Sequence, residues 1–512
     1  GTNASGLLMT DSSSTSDGYW VDASREDAFD AVVTTSTIIS VAVDFDNGGF
    51  WAAFNGTWLN GATLSEVEAG TITNAATVTS NDNGWRFFVV PRNVSQLIAN
   101  FGQNGTFDGN TTSGGYSDGN GHGDFKYPVP SGYLALNADN LPEPSITPLD
   151  DELPEDYFEP NDWTGNGTSQ SRTDYEFSPD WVWIKERTST SSHMIYDTIR
   201  GTDLFIQSNS LVKDTSSTVN LTSFDSNGFS LGSGGSTNQN GQDYVGWAWK
   251  AGGTPTATNS AGAGNVPTSG SVMIDGVAST AALAGTNPAT KLSANTEAGF
   301  SIVAYTGAGG DQTFAHGLSS APEMVIVKCR SHDSTLWPVI HKDVAASKYL
   351  NLATTIKETD SESMWDSTYP SSTVVSIGGS SHTSTNGRTY IAYCFQSVES
   401  YSKIGSYIGN GNADGTFIYT GFSPAFVMVK RSSATSDASG WFMVDKARNP
   451  FNLVDNKLAA NKSDEENDPT FIGTSGANDF DFYSNGFKPR RTNAGTNTDG
   501  NTYIYMAFAE MP

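Results

Sequence analysis

Three lysines recur at matching places in this chain. Lys185 ends the run Phe177-Ser-Pro-Asp-Trp-Val-Trp-Ile-Lys185. Lys328 ends Leu318-Ser-Ser-Ala-Pro-Glu-Met-Val-Ile-Val-Lys328, and Lys430 ends Phe422-Ser-Pro-Ala-Phe-Val-Met-Val-Lys430. Such a lysine could be an active group, or one half of a buried ion pair with Asp197 and Asp445 in the next apolar run. His341 stands at the matching place in the middle copy and weighs against the pair. The simpler reading is a stem that lies along the core and carries its ammonium out to water.

Other candidate chemistry is sparse. Asp44 and Asp46 alternate on one strand, and two carboxylates could serve a glycosidase. An Asp-x-Asp before a Gly turn is more simply a strand end capping its own backbone. The histidines are isolated; His316 and His341 fall in one copy of the repeated segment and have no counterpart in the others. His-Glu-x-x-His and P-loop patterns are missing. No catalytic or cofactor-binding residue is therefore assigned, and enzymatic activity is not expected. The turns Asp108-Gly-Asn-Thr and Ser117-Asp-Gly-Asn-Gly121 offer oxygens that could take Ca²⁺, but without EF-hand spacing. Trp20, Trp51, Trp58 and Trp85 cluster in the first part of the chain, and Trp181 and Trp183 alternate about Val182. Tryptophans in a β-rich chain are usually core anchors. On an exposed face the first four would be the candidates for carbohydrate contact.

The elements that must hold these residues are strands. The chain has 512 residues, enough for several domains. It is rich in Gly, Ser, Thr and Asn, with short aromatic and β-branched runs punctuated by Asn-Gly, Asp-Gly and Ser-Gly. That pattern predicts an all-β chain of tandem antiparallel β-sandwich or jelly-roll-like domains in a string. Lys and Arg number 27 against 55 Asp and Glu, a formal charge of -28. This disfavours nucleic acid and anionic membranes, which need a basic face. No apolar run reaches the length of a membrane span, and no signal peptide is visible. The chain opens on Gly, as a fragment or a processed form would. Cys329 and Cys394 sit in apolar runs and read as buried free thiols, or as one bridge within a repeat.

In chain order, residues 1–142 form a first unit. The strand Ile38–Asp46, the Asn47-Gly-Gly turn and the return Phe50–Phe54 predict a hairpin, and Trp85–Val90 a further strand. Residues 143–162 carry four prolines and a cluster of acids and read as an extended linker. Then come three copies of one unit: 163–253, 299–398 and 399–512. Each opens on an aromatic followed by x-Gly-x-Gly (Trp163, Tyr305, Tyr407). Each continues through the Pro-led lysine strand, a variable polar loop and a second strand (193–197, 337–341, 441–445). Ser226-Asn-Gly-Phe229 and Ser484-Asn-Gly-Phe487 match, with a divergent Ser372-Thr-Val-Val between them. The closing strands are Tyr244–Trp249, Tyr390–Phe395 and Tyr503–Phe508. The openings Tyr305 and Tyr407 lie about 100 residues apart, too far for a solenoid unit, so each copy is expected to bury its own core as a separate sandwich. Residues 254–298, rich in Gly, Ala, Ser and Thr, read as a linker or insert that could lend a strand to a neighbour. Recognition is expected in the variable loops after the lysines.

Val41-Ala-Val-Asp-Phe-Asp-Asn-Gly-Gly49 with Asn55-Gly-Thr-Trp58, and Asn100-Phe-Gly-Gln103 with Pro128-x-Pro-x-Gly-Tyr133, resemble the core of the SPRY family over about residues 17–136. The resemblance implies a concanavalin-like, lectin-type sandwich. The strands that should precede Gly18-Tyr-Trp20 look shortened or missing, which leaves a sheet edge for another subunit to cover. The Tyr-Thr-Gly opening, Phe-Ser-Pro-x-Phe-Val-x-x-Lys, Ser-Asn-Gly-Phe and the closing Tyr-Ile-x-x-x-Phe resemble an uncharacterised domain of tailed-bacteriophage virion proteins, especially marine ones. What that implies is a virion structural protein: a tail fibre, spike or capsid decoration acting in assembly, surface presentation and host attachment. Its expected partners are other virion proteins, further copies of itself as a homo-oligomer, and a host-surface glycan. The rival expectation is a secreted, lectin-like bacterial surface protein that binds carbohydrate.

Overall fold

The computed structural model describes residues 6–8, 18–21, 24–28, 37–77, 98–140, 146, 152–259, 265–436, 439–468, 480–492 and 494–510. Helices among them are single short turns; the rest of the regular structure is strand. The chain divides into two compact units, Gly1–Glu143 and Pro144–Pro512.

In the first unit the strands Ile39–Asp44 and Gly49–Phe54 pair antiparallel, and Gly49–Phe54 continues into Thr57–Trp58. Asp44 caps the turn: its carboxylate accepts the amides of Asp46 and Asn47, both at 3.0 Å, and the Asn47 side chain at 2.8 Å. The glycine at 49 is forced, since a Cβ there would meet the Trp51 indole at 2.1 Å. Trp51, Ala42 and Val67 form the core of this hairpin. Gly6–Leu8 is a three-residue strand paired antiparallel with Gly18–Val21. The segment Trp85–Val90 lies outside the described residues.

The second unit holds three large sheets with one strand order at their centres. In each, the opening strand pairs with the closing strand, the closing strand with the lysine strand, and that with the second strand. The four are Phe158–Thr164, Asp243–Trp249, Trp181–Glu186 and Met194–Asp197 in the first copy. They are Phe300–Thr306, Thr389–Phe395, Met324–Cys329 and Pro338–His341 in the second. In the third they are Ser402–Ile408, Thr502–Ala509, Pro424–Arg431 and Trp441–Asp445. A small sheet lies outside each: Gln170–Arg172 with Gly228–Leu231 and Leu221–Asp225, Gln312–Ala315 with Val374–Ile377, and Ile418–Tyr419 with Gly486–Pro489 and Phe480–Tyr483.

One boundary differs from the sequence reading. Residues 158–162, expected as linker, are the start of the first opening strand, and Pro160 is tolerated because that strand is an edge. The insert 254–298 contributes Val272–Ile274, Val277–Ala278 and Lys291–Asn295, which extend the second sheet to nine strands.

The three openings share one local design. Trp163 stacks on Tyr244, Tyr305 on Tyr390 and Tyr407 on Tyr503, at interplanar angles of 14°, 11° and 14°. Each closing-strand tyrosine hydroxyl accepts an amide at 2.8 Å, from Gln239, Thr385 and Thr498. The glycine two residues after each opening aromatic passes so close to this turn that a Cβ would strike its carbonyl: 2.3 Å for Gly165, 2.5 Å for Gly307 and 2.4 Å for Gly409.

The main departure from expectation is the core. Along each lysine strand, alternate residues enter different clusters. Val182 and Ile184, Val325 and Val327, and Val427 and Val429 face their own copy's small sheet. Trp181 and Trp183, Met324 and Ile326, and Phe426 and Met428 enter one shared cluster with the closing-strand residues Trp247, Trp249, Tyr393, Phe395, Met506 and Phe508. Each large sheet is thus buried on both faces, which is why its strands read as unbroken apolar runs rather than alternating ones. The copies are not independent beads on a string. They meet around a common centre.

Candidate functional site

The seams between copies hold two fully buried Asp–Arg pairs, and their contacts repeat in a cyclic order. The Asp214 amide donates to the Arg330 carbonyl at 3.0 Å, joining the second copy to the first. Glu466 donates to Arg187 at 2.8 Å, joining the first to the third, and Glu358 donates to Ser432 at 2.9 Å, joining the third to the second. A second set follows the same circuit. Trp337 Nε1 donates to Ser210 O at 2.9 Å, Trp441 Nε1 donates to Asn351 O at 3.0 Å, and His193 Nε2 lies 2.9 Å from Ala459 O. Three unlike-face contacts that return to their start make a closed threefold ring.

Buried ion pairs lock two of the seams. Asp197 pairs with Arg200 and Asp445 with Arg448, each at 2.7 Å and with all four side chains fully covered. The neighbouring copy completes each carboxylate: Tyr393 Oη donates to Asp197 Oδ2 at 2.8 Å, and Trp247 Nε1 to Asp445 Oδ2 at 3.0 Å. The third seam substitutes the whole set together. His341 replaces the aspartate and Val344 the arginine, and Met506, which has no proton to donate, replaces the aromatic donor. The seam changes as a unit because a buried donor without its acceptor is costly. Outside the pairs, Glu466 bridges Arg187 and Arg448, and Asp214 bridges Arg330 and Arg200.

The three lysines overturn both sequence readings of them. None reaches water, and none pairs with the aspartates; each is fully buried. Lys185 Nζ donates to the Glu186 and Ser189 carbonyls. Lys328 Nζ donates to Thr335 O at 2.8 Å and lies over the Trp337 ring. Lys430 Nζ donates to Ser439 O at 2.8 Å, to Arg431 O at 2.9 Å and, across the seam, to Thr355 O at 3.3 Å. Each thus pins the loop that follows it. Burial lowers Lys185 and Lys328 to about 8 and Lys430 to about 7. Those loops, expected to face outward for recognition, also supply Arg187 and Arg330 to the seams.

The remaining candidates are structural. Trp51 is 2 % exposed and cannot stack a sugar; Trp58 packs half-buried against the same core. The Trp20 side chain and Trp85 lie outside the described residues. Trp181 and Trp183 are central core residues. In the turn expected as a Ca²⁺ candidate, the Asp118 carboxylate is occupied by the amides of Asn120, His122 and Ala135 and by the Asn140 side chain. Desolvation opposes its ionisation, but these bonds prevail and hold it at about 2. Among the described residues, no group of three or more His, Cys, Asp or Glu is placed to hold a metal. Cys329 and Cys394 are free and buried. They stand four positions apart along paired strands, about 13 Å at 3.3 Å per residue, too far for a bridge.

The family described as Domain of unknown function (DUF7483) matches residues 153–275 and 264–512. The chain belongs to this family. The first match begins ahead of the strand Phe158–Thr164, so the family includes the segment that composition alone assigned to a linker. No curated protein matches the chain. Sequence reasoning passed over Arg200 and Arg448, although Asp-x-x-Arg recurs at both places and is replaced as a pair by His341 and Val344. That covariation was the available signal.

Proposed function

We propose that this chain is a structural component of a tailed-phage particle, a fibre, spike or capsid decoration, working in assembly and surface presentation and in contact with the host surface. The observation that supports it best is the closed ring. The three repeated copies turn two buried Asp–Arg pairs and many of their largest aromatics toward one another, and three loop-bearing sandwiches remain outside. Such a head suits display on a particle and contact with a partner of threefold symmetry. The resemblance of residues 17–136 to SPRY domains supports the same surface-display reading. We also propose that the chain self-associates through surfaces other than the seams, which are used within one chain. The test is to purify the virions of the phage that encodes the chain and look for the protein by mass spectrometry and by density on the intact particle. Absence from purified virions overturns the proposal. Mass measurement in solution that finds only monomers overturns the self-association.

A further inference from the structure

The third copy's small sheet differs from its two counterparts on its outward face. Phe417 is 41 % exposed, Tyr419 58 % and Tyr483 37 %. Phe417 and Tyr483 meet edge to face at 5.7 Å. They close over Gly486, where a Cβ would come within 2.9 Å of the Phe417 ring. By strand register, the first copy carries Ser171, Thr173 and Asp225 at these places, and the second carries Thr313 and Ala315 opposite the two strand residues. The same backbone therefore forms without aromatics there, so folding does not call for them. Solvent-facing aromatics gathered on one sheet mark a contact surface.

Polar groups of fixed geometry border the rings on the same face. Asp481 and Lys488 are paired across the strands. Tyr483 Oη donates to Asp481 Oδ2 at 3.1 Å, Arg490 Nε lies 3.3 Å from the same oxygen, and Arg490 and Lys488 both reach Asp414. Two cations face two carboxylates, so the border is neutral, in a chain whose formal charge is -28. A polyanion would be repelled by the molecule's net negative charge, and Lys488 and Arg490 on this face are already paired with carboxylates. What fits is an uncharged chain with apolar ring faces and many hydroxyls. Its C–H faces lie on the aromatic rings, and its hydroxyls exchange hydrogen bonds with the carboxylate–guanidinium border. The sheet's three strands span roughly 10 Å at about 4.8 Å per strand, room for two or three linked sugar rings.

We infer that the outward face of the third copy's small sheet, built on Phe417, Tyr419 and Tyr483, is a binding platform for neutral, pyranose-based polysaccharide. It rests on the surface-adhesion part of the proposed function and moves the sugar contact from the first unit's tryptophans to this sheet.

The test uses the full chain and a variant that carries the first copy's residues, Phe417→Ser, Tyr419→Thr and Tyr483→Asp. Both are applied to an array of neutral, sulfated and uronate-bearing oligosaccharides. Neutral hexose oligomers should bind the wild type and bind the variant about tenfold or more weakly, with an unchanged thermal transition. No binding to neutral sugars, binding only to charged ones, or equal binding by both proteins overturns the inference. So does a concentration-dependent rise in mass that the variant abolishes, since the platform would then be a contact between copies. The two readings fail separately. Protein found on virions without sugar binding sinks the platform alone, whereas sugar binding by a protein missing from virions sinks the particle assignment alone.

Discussion

Lys430 offers the sharpest test of the ring. Its ammonium is buried at the end of the third lysine strand and held by the Thr355, Arg431 and Ser439 carbonyls; burial, then the neighbouring Arg431 charge, lowers its pKa to about 7. In the unfolded chain a lysine titrates near 10.4. Between those values the unfolded state holds a proton that the folded state does not, so stability rises with pH. A full proton difference is worth about 1.4 kcal/mol per pH unit, and from pH 8 to 9 Lys430 alone should add on the order of 1.3 kcal/mol. Lys185 and Lys328, lowered to about 8, act in the same direction with a smaller effect at the lower end of that range. Lys430→Met removes this titration and also leaves three carbonyls without their donor, so its absolute stability falls at every pH. The readout is the slope. Urea unfolding at half-unit steps from pH 7.5 to 9 should show wild type gaining stability more steeply than Lys430→Met. Parallel curves would mean that the buried lysine stays charged in the fold and that the reasoning fails.

Four further outcomes follow from the seams. Asp445→Ala takes away the closer of Arg448's two carboxylates, leaving only Glu466, and orphans the Trp247 indole; it should cost about 3 kcal/mol in denaturant unfolding. Tyr393→Phe removes the donor to Asp197 and the acceptor of Arg200 Nη2, and should cost about 1.5–3 kcal/mol; a loss below about 0.5 kcal/mol would show that these seam bonds contribute little. Gly409→Ala should destabilise the third opening, because the new Cβ would lie 2.4 Å from the Thr498 carbonyl; an unchanged melting temperature would contradict the close approach. A protein of residues 144–512 should unfold in one calorimetric transition, since all three copies share a core. Three resolved transitions would restore independent sandwiches.

Much of the fold was legible because strands write themselves locally. The Asn47-Gly-Gly turn, the Pro-led entry at 178–179 and 423–424, and the aromatic-x-Gly openings each encode their own geometry. Asp44 was readable as a cap for the same reason. Pro160 misled: prolines and acids signal a linker, and only the pairing with Asp243–Trp249 shows an edge strand. The insert was legible as a segment able to lend a strand to a neighbour, but the parallel seating of Val272–Ile274 beside Lys291–Asn295 is a contact that composition does not display. The exposed trio Phe417, Tyr419 and Tyr483 was invisible as a set, because it is assembled from two strands some 65 residues apart that only the Gly486–Pro489 strand brings together.

The sequence by itself determined an all-β chain, three copies of one unit and the unbroken apolar runs of the lysine strands. Each of these depends on neighbours along the chain, through turn chemistry and the two-residue period of a strand. Only the tertiary structure decided what the second apolar face is for. A strand buried on both sides looks the same whether its far face meets a linker, a separate domain or another copy of itself. The destination of Trp181, Met324 and Phe426, and with it the closure of the ring, was set by packing across copies and by the donors and acceptors that had to meet there once water was excluded.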